Sequence, residues 1–370
     1  MPRHLASVPS ALLYRNSPSQ RTVDSRGRNG EKLQAANMNA AAREPRPLEG
    51  KRTWIITTGA AGMDAQTRGL ADALGLDYEM KPIAPRGFFR LMSPWGPVAP
   101  VERFGTEGST FAPPWPEVVI ALGRTAVPYL RALRRRSPET FSILMLDTRA
   151  GLAAADVIWV PEHDRLRGPN VISTLTAPHS FTPQRIADLR REMPPSIAAL
   201  PAPRIAVILG GKNAVYDFRQ EDDARFGAAL RSLGELGASF MITPSRRTHP
   251  RLLAAVDAAT EDFPRILWDG QGANPYPDFL AHGEAFVVTA DSVNMTGEAA
   301  ATGRPVLVFH PGGGSRKFRR FHAALEAHGA TRPLSERVGE IPRWNYAPLN
   351  SAETIAREIE RRWRARRGER

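Results

Sequence analysis

Four short stretches of the chain combine glycine, hydroxyl and cationic side chains as an anion site requires. In Gly210-Gly211-Lys212-Asn213, two residues without side chains let backbone amides approach an anion while a lysine supplies charge. The same glycine pair is equally an ordinary turn. Ser245-Arg246-Arg247-Thr248 places two guanidinium groups beside two hydroxyls, and two bidentate forks suit a diphosphate, though a solvated basic loop has the same composition. Asp291-Ser292-Val293-Asn294-Met295 leads into Thr296–Thr302, a helix-length stretch free of bulk at Gly297, Ala299, Ala300 and Ala301. Such a helix packs close to a sheet and aims its amino end at a phosphate. Glu298 is its exception, a carboxylate suited to a ribose diol or simply to the helix dipole. Finally, His310-Pro311-Gly312-Gly313-Gly314-Ser315-Arg316-Lys317 is a second flexible, cationic loop.

A separate group, nearer the amino terminus, has the residue types of an acceptor and base site. Thr57 to Gln66 contains Gly59, Gly62, Asp64 and Gln66, and Gly123-Arg124 is a further strand-end candidate. Asp64 is the candidate general base, since inverting transfer needs a group to take the acceptor hydroxyl proton; it equally fits a helix-start residue complementing the dipole. His163, followed by Asp164, is the rival base with a possible orienting partner, and ranks second because histidines beside carboxylates are commonly structural.

The elements that must position these groups read as alternating strands and helices, the signature of parallel α/β units. Strands are predicted at Thr53–Thr58, Val118–Leu122, Ser142–Leu146 and Val157–Val160, with helices near Ala65–Leu74, Ala126–Arg135 and Pro183–Glu192. Pro194, Pro195, Pro201 and Pro203 bracket a short linker. Further strands follow at Ile205–Leu209, Ser239–Thr243, Arg265–Trp268, Ala285–Thr289 and Val306–Phe309. Helices near Asp222–Leu236, Arg251–Ala259, Met295–Thr302 and Phe318–His328 alternate with them. The predicted organisation is a disordered tail over residues 1–50, Rossmann-like domains over 51–195 and 196–345, and a basic amphipathic helix over 346–370. In that last helix Ile355, Ile359 and Trp363 share a face, which suits an anionic membrane surface or packing across the first domain. Open parallel sheets place ligands outside the carboxyl ends of their strands, where the stretches above fall.

Composition narrows the function. Of a net charge of +12, residues 1–51 contribute +5 and residues 357–370 contribute +4, so the remaining +3 is too small for a phosphate-tracking nucleic-acid surface. No run of about 20 apolar residues is present to span a bilayer. The chain has no cysteine, which excludes thiolate chemistry and fits a reducing, cytoplasmic compartment. The Arg- and Ser-rich start resembles a targeting segment, or extra sequence ahead of Met38. Asp-x-Asp and zinc-type histidine spacing are absent, so no metal is predicted; the missing GxGxxG, P-loop and GxSxG motifs disfavour dinucleotide redox, ATPase and hydrolase chemistry.

Asp291-Ser292-Val293-Asn294-Met295 with Glu298 and Gly303-Arg304-Pro305-Val306, together with Ser245-Arg246-Arg247-Thr248 and Val160-Pro161-Glu162-His163-Asp164, resemble the mitochondrial fission ELM family, whose bacterial members are described as glycosyltransferases. The resemblance runs from about Thr53 to Ala330. More distantly, the second half is similar to two-domain GT-B glycosyltransferases of the MurG type. The resemblance implies two Rossmann-like domains facing across a cleft, with a nucleotide-sugar donor site in the second. Glu298 would sit on the ribose and the amino end of the helix after Ser292 on the diphosphate, with Lys212, Arg246 and Arg247 supplementing it. A glutamine pair that reads the hexose in MurG-like enzymes is replaced by Arg316, Lys317, Arg319 and Arg320, which leaves the sugar open. The reading is a metal-free transferase using a UDP-linked sugar and a glycan or lipid acceptor, cytoplasmic or peripheral at the inner membrane face. Alternatives are a nucleotide-sugar epimerase and a non-catalytic membrane-associated adaptor.

Overall fold

A computed structural model describes residues 46–368, so the predicted disordered tail lies outside the described residues except for the turn at residues 47–50. Two six-stranded parallel sheets organise the rest. The first half contains β1 (Arg52–Thr57), α1 (Ala61–Leu74), β2 (Asp77–Pro82), α2 (Gly87–Met92) and β3 (Val118–Leu122), then α3 (Val127–Arg136), β4 (Phe141–Met145), β5 (Val157–Pro161) and β6 (Val171–Thr174). The order β2-β1-β3-β4-β5-β6 places the reversal of winding between β1 and β3.

After α4 (Pro183–Arg190) and the short α5 (Pro195–Ala198), the second half runs β7 (Arg204–Leu209), α6 (Gln220–Glu235), β8 (Ser239–Pro244), α7 (Pro250–Thr260) and β9 (Arg265–Leu267). It continues with α8 (Tyr276–His282), β10 (Ala285–Thr289), α9 (Val293–Ala300), β11 (Val306–Phe309), α10 (Arg316–His328) and β12 (Thr331–Pro333), and the chain ends in α11 (Ser351–Arg366). Read from β9, the order is 3-2-1-4-5-6, the dinucleotide-fold order, with its switch point between β7 and β10.

The central strands form because β-branched and aliphatic runs are buried on both faces. Val118 through Leu122 and Ile205 through Leu209 are fully buried, as parallel sheets covered by helices demand. All nine predicted strands are present; β2, β6 and β12 are additional.

One segment packs differently from the sequence reading, and the structure decides between two alternatives for another. The helix predicted at Pro183–Glu192 in the first domain is α4, and it packs on α8 of the second half, where Phe181, Ile186, Ile197 and Leu200 join that half's core. For the C-terminal helix, read above as suited to a membrane or to packing across the first domain, the structure shows the second: it packs on α1 and β6. Its Ile355, Ile359 and Trp363 enter the first half's core, with Trp363 edge-on to Phe141 at 5.2 Å between ring centres. No apolar face is left for lipid.

Candidate functional site

The switch point of the second sheet is closed by groups that the chain brings from the ends of β7, β8 and β10. Gly210 N–H donates to Thr289 Oγ1 at 2.7 Å, and Gly211 N–H donates to Asp291 Oδ2 at 3.0 Å. Thr289 Oγ1 in turn donates to Asp291 Oδ1 at 2.7 Å. A Cβ on Gly210 would run into the Asp291 carboxylate, and one on Gly211 into the backbone at Arg247 and Thr248. The two glycines are therefore required by close approach, but to a protein carboxylate.

Arg247 departs from its predicted role as a free diphosphate ligand. Its guanidinium pairs with the fully buried Asp291 carboxylate at 2.9 Å and donates to Gly211 O at 3.2 Å. Burial drives the Asp291 carboxyl above its ordinary range, opposed by the Gly211 amide, Thr289 and Arg247. Ser245 holds its own turn, where its N–H donates to Thr248 Oγ1 at 2.8 Å. Lys212 pairs with Asp217 at 3.0 Å in an exposed contact. Among the cations predicted to meet phosphate, Arg246 and Arg316 are exposed and have no side-chain partner among the described residues.

The glycine loop after β11 is less free than predicted. Gly313 and Gly314 both have φ of +92°, a region favouring glycine, and Gly313 bridges Tyr216 in an antiparallel pair. Gly312 accepts from Asp217 N–H at 2.9 Å and donates to Asp222 Oδ2 at 3.0 Å. Tyr216 stacks edge-on against Phe318 of α10. Backbone pairing thus pins this loop beside the one after β7.

α9 begins directly after the Asp291 turn that ends β10. Ser292, at its N-cap, is buried but supplies no side-chain cap, so the first-turn amides lack a capping group. Met295 packs against the second half's core. Glu298, one turn further in, is buried at 9% exposure and accepts from the Tyr276 hydroxyl at 2.5 Å. Burial lifts its carboxyl to about 7, with the Tyr276 hydrogen bond and the Arg185 charge opposing the rise. Tyr276 is the partner the sequence reading missed; it opens α8, 22 positions away, and nothing local ties it to Glu298.

Across the molecule, Thr57 Oγ1 donates to Asp64 Oδ1 at 2.5 Å, which fixes the predicted base in the first turn of α1, and Gly59 N–H donates to the same hydroxyl at 2.9 Å. Gly62 and Gln66, predicted to face an acceptor, contact the second half directly. Gln66 Nε2 donates to Asn294 Oδ1 at 3.0 Å, and Asn294 Nδ2 donates to Gly62 O at 3.3 Å. Arg124 is exposed after β3. Gly123 lies beside Met63 of α1: a Cβ there would come within 3.1 Å of the methionine methyl.

His163 lies in a cavity of about 250 Å3 between the halves, lined also by Gln66, Trp159, Asn294, Lys317 and Phe321. Its ring meets Phe321 edge-on at 5.5 Å, and its Nδ1 is buried without a hydrogen-bond partner. Burial, with Lys317 and Arg320 nearby, lowers its pKa to about 4, so the ring is neutral and weakly basic. Lys317, predicted in the sugar and phosphate loop, pairs with Asp164 at 2.6 Å, and Arg320 donates to His163 O at 2.6 Å. Asp164 therefore answers Lys317 rather than orienting His163. Among the described residues no cluster of three or more His, Asp or Glu side chains could hold a metal ion.

Comparison with known proteins adds a family. The plant "Mitochondrial fission protein ELM1" of Arabidopsis thaliana is 27% identical over 282 residues, covering 70% of this chain and 66% of that protein, just short of two thirds of its length. Among solved structures, MurG of Acinetobacter baumannii shares 14% identity at a TM-score of 0.47, covering 85% of this chain and 92% of that one. UDP-GlcNAc 2-epimerase of Methanocaldococcus jannaschii shares 10% identity at a TM-score of 0.48, covering 84% of this chain and 99% of that one. The family described as "Mitochondrial fission ELM1" matches residues 61–363, most of the chain, and the protein belongs to that family.

Proposed function

We propose that the second half binds a nucleotide sugar, with uridine diphosphate as carrier, and that the protein transfers its sugar to a glycan or lipid-linked acceptor. The observation that carries this reading is the pairing, at one switch point, of an uncapped helix start at α9 with the buried Glu298 carboxylate one turn inside it. Backbone amides at the helix start suit a diphosphate, and a carboxylate that has given up water gains from a diol that restores its hydrogen bonds. The Tyr276 hydroxyl donates to that carboxylate, and a ribose diol shares the same acceptor oxygens. Arg246 and Arg316, both without internal partners, supply the mobile positive charge. Gly313, Gly314 and Lys317 border the sugar.

In the transfer step, the acceptor oxygen bonds to the anomeric carbon as that carbon's bond to the diphosphate oxygen breaks. The acceptor proton passes to Asp64, and the charge left on the diphosphate is met by the α9 amides and the arginines. His163 is the weaker candidate for the proton, because Asp164, the residue that could orient its ring, pairs with Lys317 instead. Gly59, Gly62, Gln66 and Arg124 form the acceptor side.

Calorimetric titration with UDP and UDP-sugars tests the reading. Glu298→Ala is expected to weaken UDP by about 1–3 kcal/mol, the penalty of leaving polar partners unpaired. Undiminished UDP affinity in that variant removes Glu298 from the site. Conversion of a UDP-sugar without acceptor identifies an epimerase, and a folded protein that binds no nucleotide supports a non-catalytic adaptor.

A further inference from the structure

Seven large hydrophobic side chains are exposed among the described residues, and five of them fall between Phe88 and Val101. Phe88 is 63% exposed, Leu91 77%, Trp95 63% and Val101 85%. Helix α2 buries none of its residues, although Phe88, Leu91 and Met92 lie three and four positions apart and so share one face. Singly exposed apolar residues are normal on protein surfaces; a contiguous group of aromatic and aliphatic ones marks a docking face.

Charge identifies what docks. The exposed Arg86, Arg90, Arg103 and Arg135 have no side-chain partner among the described residues. Arg103, Arg131, Arg135 and Arg136 line a cavity of about 610 Å3 that opens beside Trp95. The neighbouring acid Glu102 is engaged by the Tyr129 hydroxyl at 3.0 Å. Apolar side chains rimmed by uncommitted guanidinium groups match an anionic lipid surface, where rings enter the interfacial layer and arginines meet phosphates. A second copy of the chain would oppose these arginines with its own, which disfavours a symmetric dimer through this face.

We propose that α2, the loop to Val101 and the surrounding arginines form a docking face for an anionic lipid bilayer. The place in the fold is apt: β2 ends at Pro82 opposite Thr57, and Ile83 N–H donates to Thr57 O at 2.8 Å. The face therefore leaves the first sheet at the edge that also carries the Asp64 loop. Docking brings that edge toward the bilayer, and it operates whether or not the second half binds a nucleotide.

Flotation of the full chain with phosphatidylcholine vesicles, with and without phosphatidylglycerol, tests the proposal without any nucleotide present. The wild-type chain is expected to float with the anionic vesicles. Phe88→Ser with Leu91→Ser, and separately Arg90→Glu with Arg135→Glu, should each reduce partition at least roughly tenfold, since these positions carry interfacial and electrostatic binding. Arg357→Glu with Arg361→Glu on α11 should leave it unchanged, and circular dichroism melts establish that every variant is folded. The proposal is overturned if the wild-type chain ignores anionic vesicles, if the patch variants float like it, or if the α11 variant alone loses binding. It is overturned equally if light scattering shows a wild-type dimer that Leu91→Ser dissociates.

Discussion

Glu298 and Tyr276 show how one buried pair couples stability to pH. The Glu298 carboxyl lies at about 7 in the folded protein against 4.5 for the free side chain, chiefly because burial penalises its charge. A raised acid means that the folded state holds the proton more tightly. Its contribution is therefore fully present below about 4.5 and is lost as pH rises through about 7. Glu298→Gln keeps the shape and removes the titration. Chemical denaturation at pH 8 should find this variant more stable than the wild type by about 1–3 kcal/mol, with the gap closing toward pH 4.5. An equal gap at both pH values would mean that Glu298 is not the titrating group. Asp291 is governed differently, because Arg247 and the Gly211 amide compensate its charge in place. The same carboxylate type thus serves as a structural anchor at one position and as a group short of partners seven residues later.

At the scale of elements, the close packing of helices is set by small residues whose neighbours differ in how far they can yield. Gly69 of α1 lies against the backbone of His179, where a Cβ would come within 2.5–2.9 Å of three main-chain atoms. Gly297 of α9 faces only the Thr176 side chain, at 3.2 Å. Gly69→Ala should destabilise by about 1–3 kcal/mol, because main chain must move. Gly297→Ala should stay within roughly 1 kcal/mol of wild type, since the contact needs only a small local shift and the helix preference for alanine acts in its favour. Denaturant midpoints of the two variants check the contrast, and equal losses would refute it. This difference was not legible in the chain, where both are glycines in helical stretches. The buried strands were legible, since Val118–Leu122 or Ala285–Thr289 can form little else. The edge strand β2 was missed because its burial alternates and its residues, DYEMKP, are mostly polar. Helix α2 was missed for the opposite reason: its apolar residues face solvent, and six residues give too short a period to read. That the glycine-rich and cationic loops fall at strand ends was legible from composition, whereas Asp291 to Arg247, Glu298 to Tyr276 and Asp164 to Lys317 join residues whose proximity only the fold creates.

For the whole molecule, the decisive question is how firmly the two halves hold each other. Each half has its own apolar core, and the contacts beside the shared cavity are largely polar: Gln66 with Asn294, Lys317 with Asp164, and Arg320 with the carbonyl of His163. Polar interfaces of this kind permit relative motion of the parts. The Lys317 side chain is 49% exposed and Asp164 12%, so the pair is partly screened and contributes about 0.5–1 kcal/mol, near the upper range for surface pairs. Salt at roughly 1 M shortens the screening length to about 3 Å and should weaken this tie more than the neutral Gln66–Asn294 hydrogen bond. Small-angle scattering of the wild-type chain is therefore expected to show a larger radius of gyration at high salt than at low. Lys317→Met should already be expanded at low salt and should lose most of the salt response, because the charge pair that salt acts upon is gone. If wild type and variant have the same radius at both ionic strengths, the pair does not hold the halves together. Closure would then have to rest on the uncharged contacts of α1 with the start of α9.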